Sequence, residues 1–226
     1  ARIPALEVVN DVPLPVLRAD GGIELLPPGY DAGSRTLTLR SLQYREMSIE
    51  EGVGVIENLL SEFRFADGRS RSVAIAAMVS LFAKGLLPEG ALRPAFVFLA
   101  NVPGAGKTTA ADCAVVPVFG RAFRTPIPAR EEELEKTLLS AVIAAQPVIF
   151  FDNVRRHLAS AALEALLSST YYSGRILSAS QMFSGPNQAT VFITGNGCTV
   201  SRDMERRALF CELFAEHARP EERVYA

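Results

Sequence analysis

The chain contains few cysteines, and they do not form a metal-binding pattern. Cys113, Cys198 and Cys211 are the only three in 226 residues, and they are widely spaced. Structural zinc sites need closely spaced ligand pairs, and secreted disulfide scaffolds use an even number of cysteines. We therefore expect three reduced thiols acting as small core residues, and a cytoplasmic protein.

Long apolar runs and a strong net charge are also lacking. No apolar run reaches the ~18 residues that a membrane-spanning helix needs, and the N-terminus lacks the basic-then-apolar layout of a signal peptide. We therefore expect a soluble protein with no membrane contact. The net charge of −2 excludes a globally basic surface, so any contact with DNA must come from local clusters.

What the chain does contain is a loop typical of phosphate-binding sites. The apolar run 95–100 predicts a buried strand, and it is followed by Asn101, Val102, Pro103, Gly104, Ala105, Gly106, Lys107, Thr108 and Thr109. Such a loop turns its N–H groups toward an anion, and a helix behind it directs its positive end to the same point. Lys107 is predicted to reach the β- and γ-phosphates of a nucleotide, and the Thr108 hydroxyl to bind Mg²⁺.

One position departs from the usual G-x-x-x-x-G-K-[ST] pattern. Asn101 stands at the first glycine, and Asn tolerates the left-handed backbone better than most residues. The alternative is a glycine-rich turn followed by a chance Gly-Lys-Thr. The order of strand, loop and helix favours the phosphate-binding interpretation.

Two further apolar runs end in polar residues. The run 147–151 predicts a buried strand that carries Asp152 to the edge of the nucleotide site, where a carboxylate can hold Mg²⁺. The run 189–195 ends at Asn196, whose amide could hold the attacking water or contact the γ-phosphate. Taken alone, the Asp152 run is better explained as a core strand followed by an Asp-Asn turn, and the Asn196 run has the alternative of a simple Gly-Asn turn. The position of Asp152 after Lys107, with one strand and two helices between them, favours the ATPase interpretation.

Three regions differ in their patterns. Residues 1–45 predict a small β appendage with a hairpin at 16–25, and residues 46–92 predict two helices, one capped by Ser48 and one over 70–84 ended by Gly85. Residues 93–226 alternate between strands and helices, which predicts an α/β fold whose parallel sheet is covered on both faces. The predicted elements are strands 95–100, 122–125, 147–151, 189–195 and 208–214, helices 107–116, 131–145 and 158–168, and a hairpin-like stretch 174–188.

In combination, these motifs resemble the AAA+ class of P-loop ATPases. More narrowly, the chain is similar to the superfamily III and poxvirus-type primase-helicase ATPases of phages, plasmids and integrated mobile elements. The likeness rests on the loop, on Asp152, on segment 194–196 followed by an Arg-Arg pair, and on segments 15–21 and 28–31. It implies a three-layer P-loop NTPase fold of the ASCE type, ATP hydrolysis with Mg²⁺, and a homo-oligomer in the form of a hexameric ring that moves along single-stranded DNA. It also implies that the chain is part of a longer replication protein, because no lid follows the last strand.

The resemblance assigns roles to individual residues. Lys107, Thr108 and Asp152 match the phosphate and magnesium ligands, and Asn196 matches a polar sensor of the γ-phosphate. Arg206 or Arg207 resembles the arginine finger that one subunit offers to the nucleotide of its neighbour. The alternative is a solvated basic helix end.

Asn153 is a departure from the AAA+ pattern, in which a Glu follows the magnesium-binding Asp. An amide can orient water but cannot accept its proton. Either hydrolysis is slow or another carboxylate is the base, and Glu133, in the acidic run 131–133, is the candidate. The alternative is that these acidic residues only stabilise a helix N-terminus.

Contact with DNA is predicted for the hairpin-like segment between the Asp152 and Asn196 strands. Its Tyr171, Tyr172, Arg175 and Gln181 can stack on bases and contact phosphates, although both tyrosines are equally suited to packing. Three functions remain open: a DNA helicase motor, an AAA+ ATPase that remodels or loads protein partners, and a nucleotide-gated assembly module that barely hydrolyses ATP.

Overall fold

The N-terminal region consists of five short strands. A computed structural model describes residues 6–88, 90–176 and 181–216. The strands are β1 (Val8–Asn10), β2 (Pro15–Leu17), β3 (Ile23–Leu25), β4 (Gly29–Asp31) and β5 (Thr36–Thr38). β2 and β3 form the antiparallel hairpin that the Asp-Gly-Gly turn predicts, and β1, β5 and β4 form a three-stranded sheet. Arg18, directly after β2, joins the hairpin to this sheet, because its guanidinium donates hydrogen bonds of 2.9 and 3.0 Å to the carboxylate of Asp31 on β4.

Two helices connect this region to the rest of the chain. α1 (Ile49–Leu60) begins with the predicted capping box of Ser48 and Glu51. α2 (Gly68–Phe82) begins two residues earlier than predicted because Asp67 caps it, and it ends before Gly85. The glycine at 85 has a different role, since a Cβ there would lie 2.5 Å from the Pro15 carbonyl oxygen. Gly85 therefore lets the N-terminal hairpin approach the helical segment closely.

A five-stranded, all-parallel sheet forms the centre of the remaining chain. Its strands lie in the order β12-β6-β11-β8-β7. The elements in chain order are β6 (Ala95–Ala100), α3 (Lys107–Phe119), β7 (Arg124–Thr125), α4 (Glu131–Ile143), β8 (Val148–Val154), α5 (Ala161–Ser168), β9 (Tyr171–Arg175), β10 (Met182–Pro186), β11 (Thr190–Asn196), α6 (Arg202–Glu205) and β12 (Ala208–Leu213). β9 and β10 form a separate antiparallel hairpin, which lies between α5 and β11 along the chain.

Both faces of the sheet are covered, as alternation along β6 shows. Phe96 and Phe98 pack with Phe192 on the side of α2 and α3, whereas Ala95 and Val97 belong to the cluster on the side of α4 and α5. The prediction of an α/β fold with a parallel sheet flanked by helices is confirmed. Among the described residues, no helix is both long and apolar enough to cross a membrane.

Helix boundaries differ from the predictions where long-range contacts intervene. α5 begins at Ala161 and not at 158, because Leu158 is extended and exchanges backbone hydrogen bonds with Thr199 and Ser201. α3 continues beyond 116 and through Pro117 to Phe119, where Gly120 ends it with a φ of 70°.

Lys84 gives a testable prediction about stability. Its ammonium lies 5.5 Å from the centre of the Phe119 ring, and burial, aided by the charge of Arg93, lowers its pKa from 10.5 to about 8. Between these pH values the unfolded chain binds more protons than the folded protein, so this lysine makes stability rise with pH. Relative to Lys84→Met, wild type should gain on the order of 2 kcal/mol of unfolding free energy between pH 7.5 and 10, measured by urea unfolding. Lys136→Met is the control, because Lys136 is partly buried and its hydrogen bonds to Glu132 and Glu133 raise its pKa, the opposite direction from Lys84. Identical pH profiles for wild type and Lys84→Met would refute the prediction.

Candidate functional site

The carboxyl edge of the parallel sheet brings most of the predicted site residues together. β11 lies between β6 and β8, with Asn196 paired to Ala100 and Gly195 paired to Val154. Because parallel strands end at the same edge, the loop after β6, Asp152 on β8 and Asn196 on β11 converge. The three motifs therefore form one candidate site.

The loop between β6 and α3 has the backbone that its glycines predict. Gly104 and Gly106 take φ values of 78° and 88°, a region that L residues with side chains rarely adopt. Gly106 is the N-cap of α3 and provides no side-chain cap. The first-turn N–H groups of α3 are therefore available to an anion at the positive end of a 13-residue helix.

Asn101 has a different role from the predicted one. The described non-glycine residues with positive φ are Arg35, Ala145 and Asn153, so Asn101 is not left-handed. Its side-chain amide donates to the Ala215 carbonyl at 2.9 Å and accepts from the Ala215 N–H at 3.0 Å. Asn101 therefore ties the start of the loop to the segment after β12, a connection that glycine could not make.

Lys107, Thr108 and Asp152 form the centre of the site. The Thr108 hydroxyl donates a 3.1 Å hydrogen bond to Asp152 Oδ1. Lys107 is 9% exposed, and the negative charge of Asp152 acts on its ammonium. Burial lowers the pKa of Lys107, an effect that Asp152 opposes and Arg155 reinforces. A buried cation without an ion pair among the described residues is prepared to receive an anion.

The donor set at this centre suits magnesium. Mg²⁺ is usually held by one or two carboxylates together with substrate phosphates and water. Thr108 can donate its proton to Asp152 while its oxygen lone pairs face a metal, and Asp152 Oδ2 accepts no hydrogen bond from the described part of the chain. In residues 6–88, 90–176 and 181–216, no group of three or more His, Cys, Asp or Glu side chains forms a self-sufficient metal site, so the nucleotide would have to complete the coordination.

Asn153 is exposed and has a left-handed backbone with a φ of 59°. Its N–H donates to Thr194 Oγ1 at 2.9 Å, and its Oδ1 accepts from Arg155 Nε at 3.3 Å. Asn adopts this conformation at lower cost than Glu, which gives a conformational reason for the departure from the AAA+ pattern.

Asn196 is partly exposed, but its side-chain oxygen is buried. That oxygen accepts no hydrogen bond from any described residue. A buried polar atom without a partner is costly unless water or a ligand satisfies it. Asn196 therefore keeps a free acceptor beside the loop.

Glu133 lies in the first turn of α4, and its carboxylate forms a 3.0 Å ion pair with Lys136. Within the described chain it makes no hydrogen bond to Lys107, Thr108 or Asp152. Glu131 has a structural role, because its Oε1 accepts hydrogen bonds from Ser160 Oγ and the Ala162 N–H at the start of α5. The three acidic residues of the run are therefore not equivalent, and Glu133 remains the candidate base.

Arg206 and Arg207 lie at the opposite edge of the sheet, immediately before β12. The Arg207 carbonyl accepts a hydrogen bond from the N–H of Ala95, the first residue of β6. Arg207 is held by Ser168 Oγ at 2.6 Å and by the Asp203 carbonyl at 2.8 Å. The Arg206 side chain is 74% exposed and pairs with Asp203. Neither arginine is brought to the Lys107 centre of its own subunit.

The hairpin of β9 and β10 separates its two tyrosines. Tyr172 is buried, and burial raises its pKa, whereas Tyr171 is 61% exposed on the face that also carries Arg175. Packing is therefore the role of Tyr172, which leaves Tyr171, Arg175 and the exposed Gln181 as candidates for nucleic-acid contact. Residues 177–180, between the strands, lie outside the described residues.

Two features of the site were missed at the level of the sequence. Thr194 is completely buried and contacts Asp152, and the ring of Phe63 lies 3.5 Å from where a Cβ on Gly106 would be. The polar residue two places before Asn196, inside an apolar run, was the available signal for Thr194. Comparisons of the chain with family models and with curated proteins gave no match.

Proposed function

We propose that this chain is an AAA+ P-loop ATPase, the ATP-hydrolysing motor domain of a DNA helicase or primase-helicase from a mobile element. The observation that carries the proposal is the Thr108–Asp152 hydrogen bond beside a buried lysine and the uncapped start of α3. The placement of β11 between β6 and β8 supports it further, because this brings Asn196 to the gap between the loop and Asp152.

In this proposal the loop N–H groups and Lys107 bind the β- and γ-phosphates of ATP. Thr108 and Asp152 hold Mg²⁺, which when bound neutralises charge on the phosphates. Asn196 orients the attacking water through its free oxygen. The fixed positions of these groups provide stabilisation where negative charge develops.

Assembly into a ring follows from the position of the arginines in this proposal. β12 has six residues, which at about 3.3 Å per residue separates Arg206 from the nucleotide edge by roughly 20 Å. An arginine finger on this chain would therefore serve the nucleotide of a neighbouring copy. A closed ring, such as a hexamer, gives every site a finger.

The base is tested by neutralising the acidic residues of α4 one at a time. If Glu133 accepts the proton of the attacking water, Glu133→Gln should lower kcat at least ~100-fold while ATP still binds. Glu132→Gln is the matched control, because Glu132 also pairs with Lys136, at 2.7 Å, and should keep near-normal turnover. Equal turnover in both variants would move the base elsewhere.

The DNA-motor proposal is tested by measuring ATPase activity with and without single-stranded DNA over a range of protein concentration. We expect DNA to stimulate the ATPase activity. This stimulation should be reduced in Tyr171→Ala and retained in Tyr171→Phe, because stacking on bases needs an aromatic side chain, which phenylalanine keeps. ATPase activity without stimulation would favour the remodelling of protein partners. ATP binding without turnover under any condition would favour a nucleotide-gated assembly module.

A further inference from the structure

Thr194 is a buried polar residue to which the proposed mechanism assigns no step. It lies on β11 with no exposed surface. Its hydroxyl donates a hydrogen bond to Asp152 Oδ1 and accepts one from the Asn153 N–H at 2.9 Å. One side chain of β11 therefore contacts two consecutive residues of β8.

The strands are irregular at this point. Ile193 pairs with Phe151 but Gly195 pairs with Val154, so β8 contains one more residue than β11 between these pairs. Such a bulge re-aims side chains and leaves a backbone group without its usual ladder partner. The Thr194 hydroxyl takes the place of that partner for the Asn153 N–H.

The close approach of the strands also depends on Gly195. A Cβ at this position would lie 2.6 Å from the Val154 carbonyl oxygen and 2.7 Å from Cys198 Cβ. One local arrangement is therefore formed by Thr194, Gly195 and the left-handed Asn153. It determines the orientation of the Asp152 side chain.

We infer that Thr194 is a positioning residue that orients the Asp152 carboxylate for Mg²⁺. Two hydroxyls, from Thr108 and Thr194, occupy Oδ1 and thereby fix the rotation of the carboxylate. Oδ2 is then presented to the cation in a single orientation. The inference rests on the proposed function, because it concerns the metal ligand of that same site.

The test compares Thr194→Val, which removes the hydroxyl at nearly constant shape, with Thr194→Ser, which keeps it. In the full chain, Thr194→Val should raise the Mg²⁺ concentration for half-maximal ATPase activity about tenfold and lower kcat at least as much, the order of effect expected for one charge-assisted hydrogen bond. Thr194→Ser should restore both values to within about threefold of wild type.

A second measurement separates positioning from a merely structural role. Binding of a fluorescent ADP should lose most of its enhancement by Mg²⁺ in Thr194→Val, while affinity without Mg²⁺ stays within about twofold of wild type. Thr190→Val is the matched control, since this buried threonine lies at the other end of β11. Should Thr194→Val not fold, Thr194→Ala gives the same comparison.

The inference is overturned if folded Thr194→Val shows wild-type Mg²⁺ dependence, or if it loses nucleotide affinity equally with and without Mg²⁺. A different result would refute the proposed function itself, namely a wild-type protein that neither binds nor hydrolyses ATP in the presence of Mg²⁺. The two failures are therefore distinguishable.

Discussion

Lys107→Ala is expected to weaken ATP binding by at least about two orders of magnitude and to abolish hydrolysis. Lys107 is a buried residue next to the uncapped start of α3, and a phosphate would provide the charge-assisted partner of its ammonium. The fold should survive the substitution. Burial lowers the pKa of Lys107, which means that its charged form is disfavoured in the protein without a ligand, so its removal should not destabilise the fold.

The measurement is calorimetric titration with ATP, combined with a thermal unfolding curve to show that the variant is folded. Lys84→Met is the matched control, since Lys84 lies near Phe119 at the far end of α3 and should leave nucleotide affinity unchanged. Unchanged affinity and turnover in Lys107→Ala would overturn the assignment of the phosphate-binding loop.

The same lysine predicts the pH dependence of binding. Phosphate binds the protonated ammonium, so the affinity of wild type for ATP should fall as pH rises through the lowered pKa of Lys107. Lys107→Arg keeps its charge in this range and should show weaker, but flatter, binding across alkaline pH. Parallel pH profiles for the two proteins would contradict this origin of the dependence.

Local patterns were sufficient to predict the core of the fold and the residues at its carboxyl edge. The apolar runs before Asn101, Asp152 and Asn196 could be assigned to buried strands from length and composition alone. Once those strands are parallel neighbours, their ends must meet, which explains why the predicted loop and Asp152 are in contact through Thr108.

Contacts between distant segments could not be predicted in this way. Asn101 was interpreted as a tolerated replacement for the first glycine of the loop, but its backbone is not left-handed and its side chain bonds to Ala215, 114 positions away. Thr194 gained its role from a bulge between two strands, and Gly85 from the approach of Pro15. In each case a contact with a residue distant in the sequence determines the role, and local periodicity carries no information about such contacts.

Arg206→Ala is expected to bind ATP normally but to lose about a thousandfold in hydrolysis, and to be rescued by mixing with Lys107→Ala. A cation offered in trans stabilises the charge that develops on the γ-phosphate by factors of ~10³ or more. Arg206 is the better candidate for this role, because its side chain is 74% exposed and pairs with Asp203, three positions away on the short helix α6. Arg207 is held by Ser168 on α5, so Arg207→Ala should mainly affect stability.

The rescue has a specific physical basis. An Arg206→Ala subunit keeps a sound nucleotide site, a Lys107→Ala subunit keeps a sound Arg206, and one interface in a mixed oligomer can combine the two. Mixing Arg206→Ala with the double variant Lys107→Ala/Arg206→Ala is the matched control, because no such interface then exists. Wild-type specific activity should also rise with protein concentration, since a lone subunit does not bring Arg206 to its own nucleotide. If activity is independent of concentration and the first mixture is as inactive as the second, hydrolysis takes place within one subunit and the ring is not required for it.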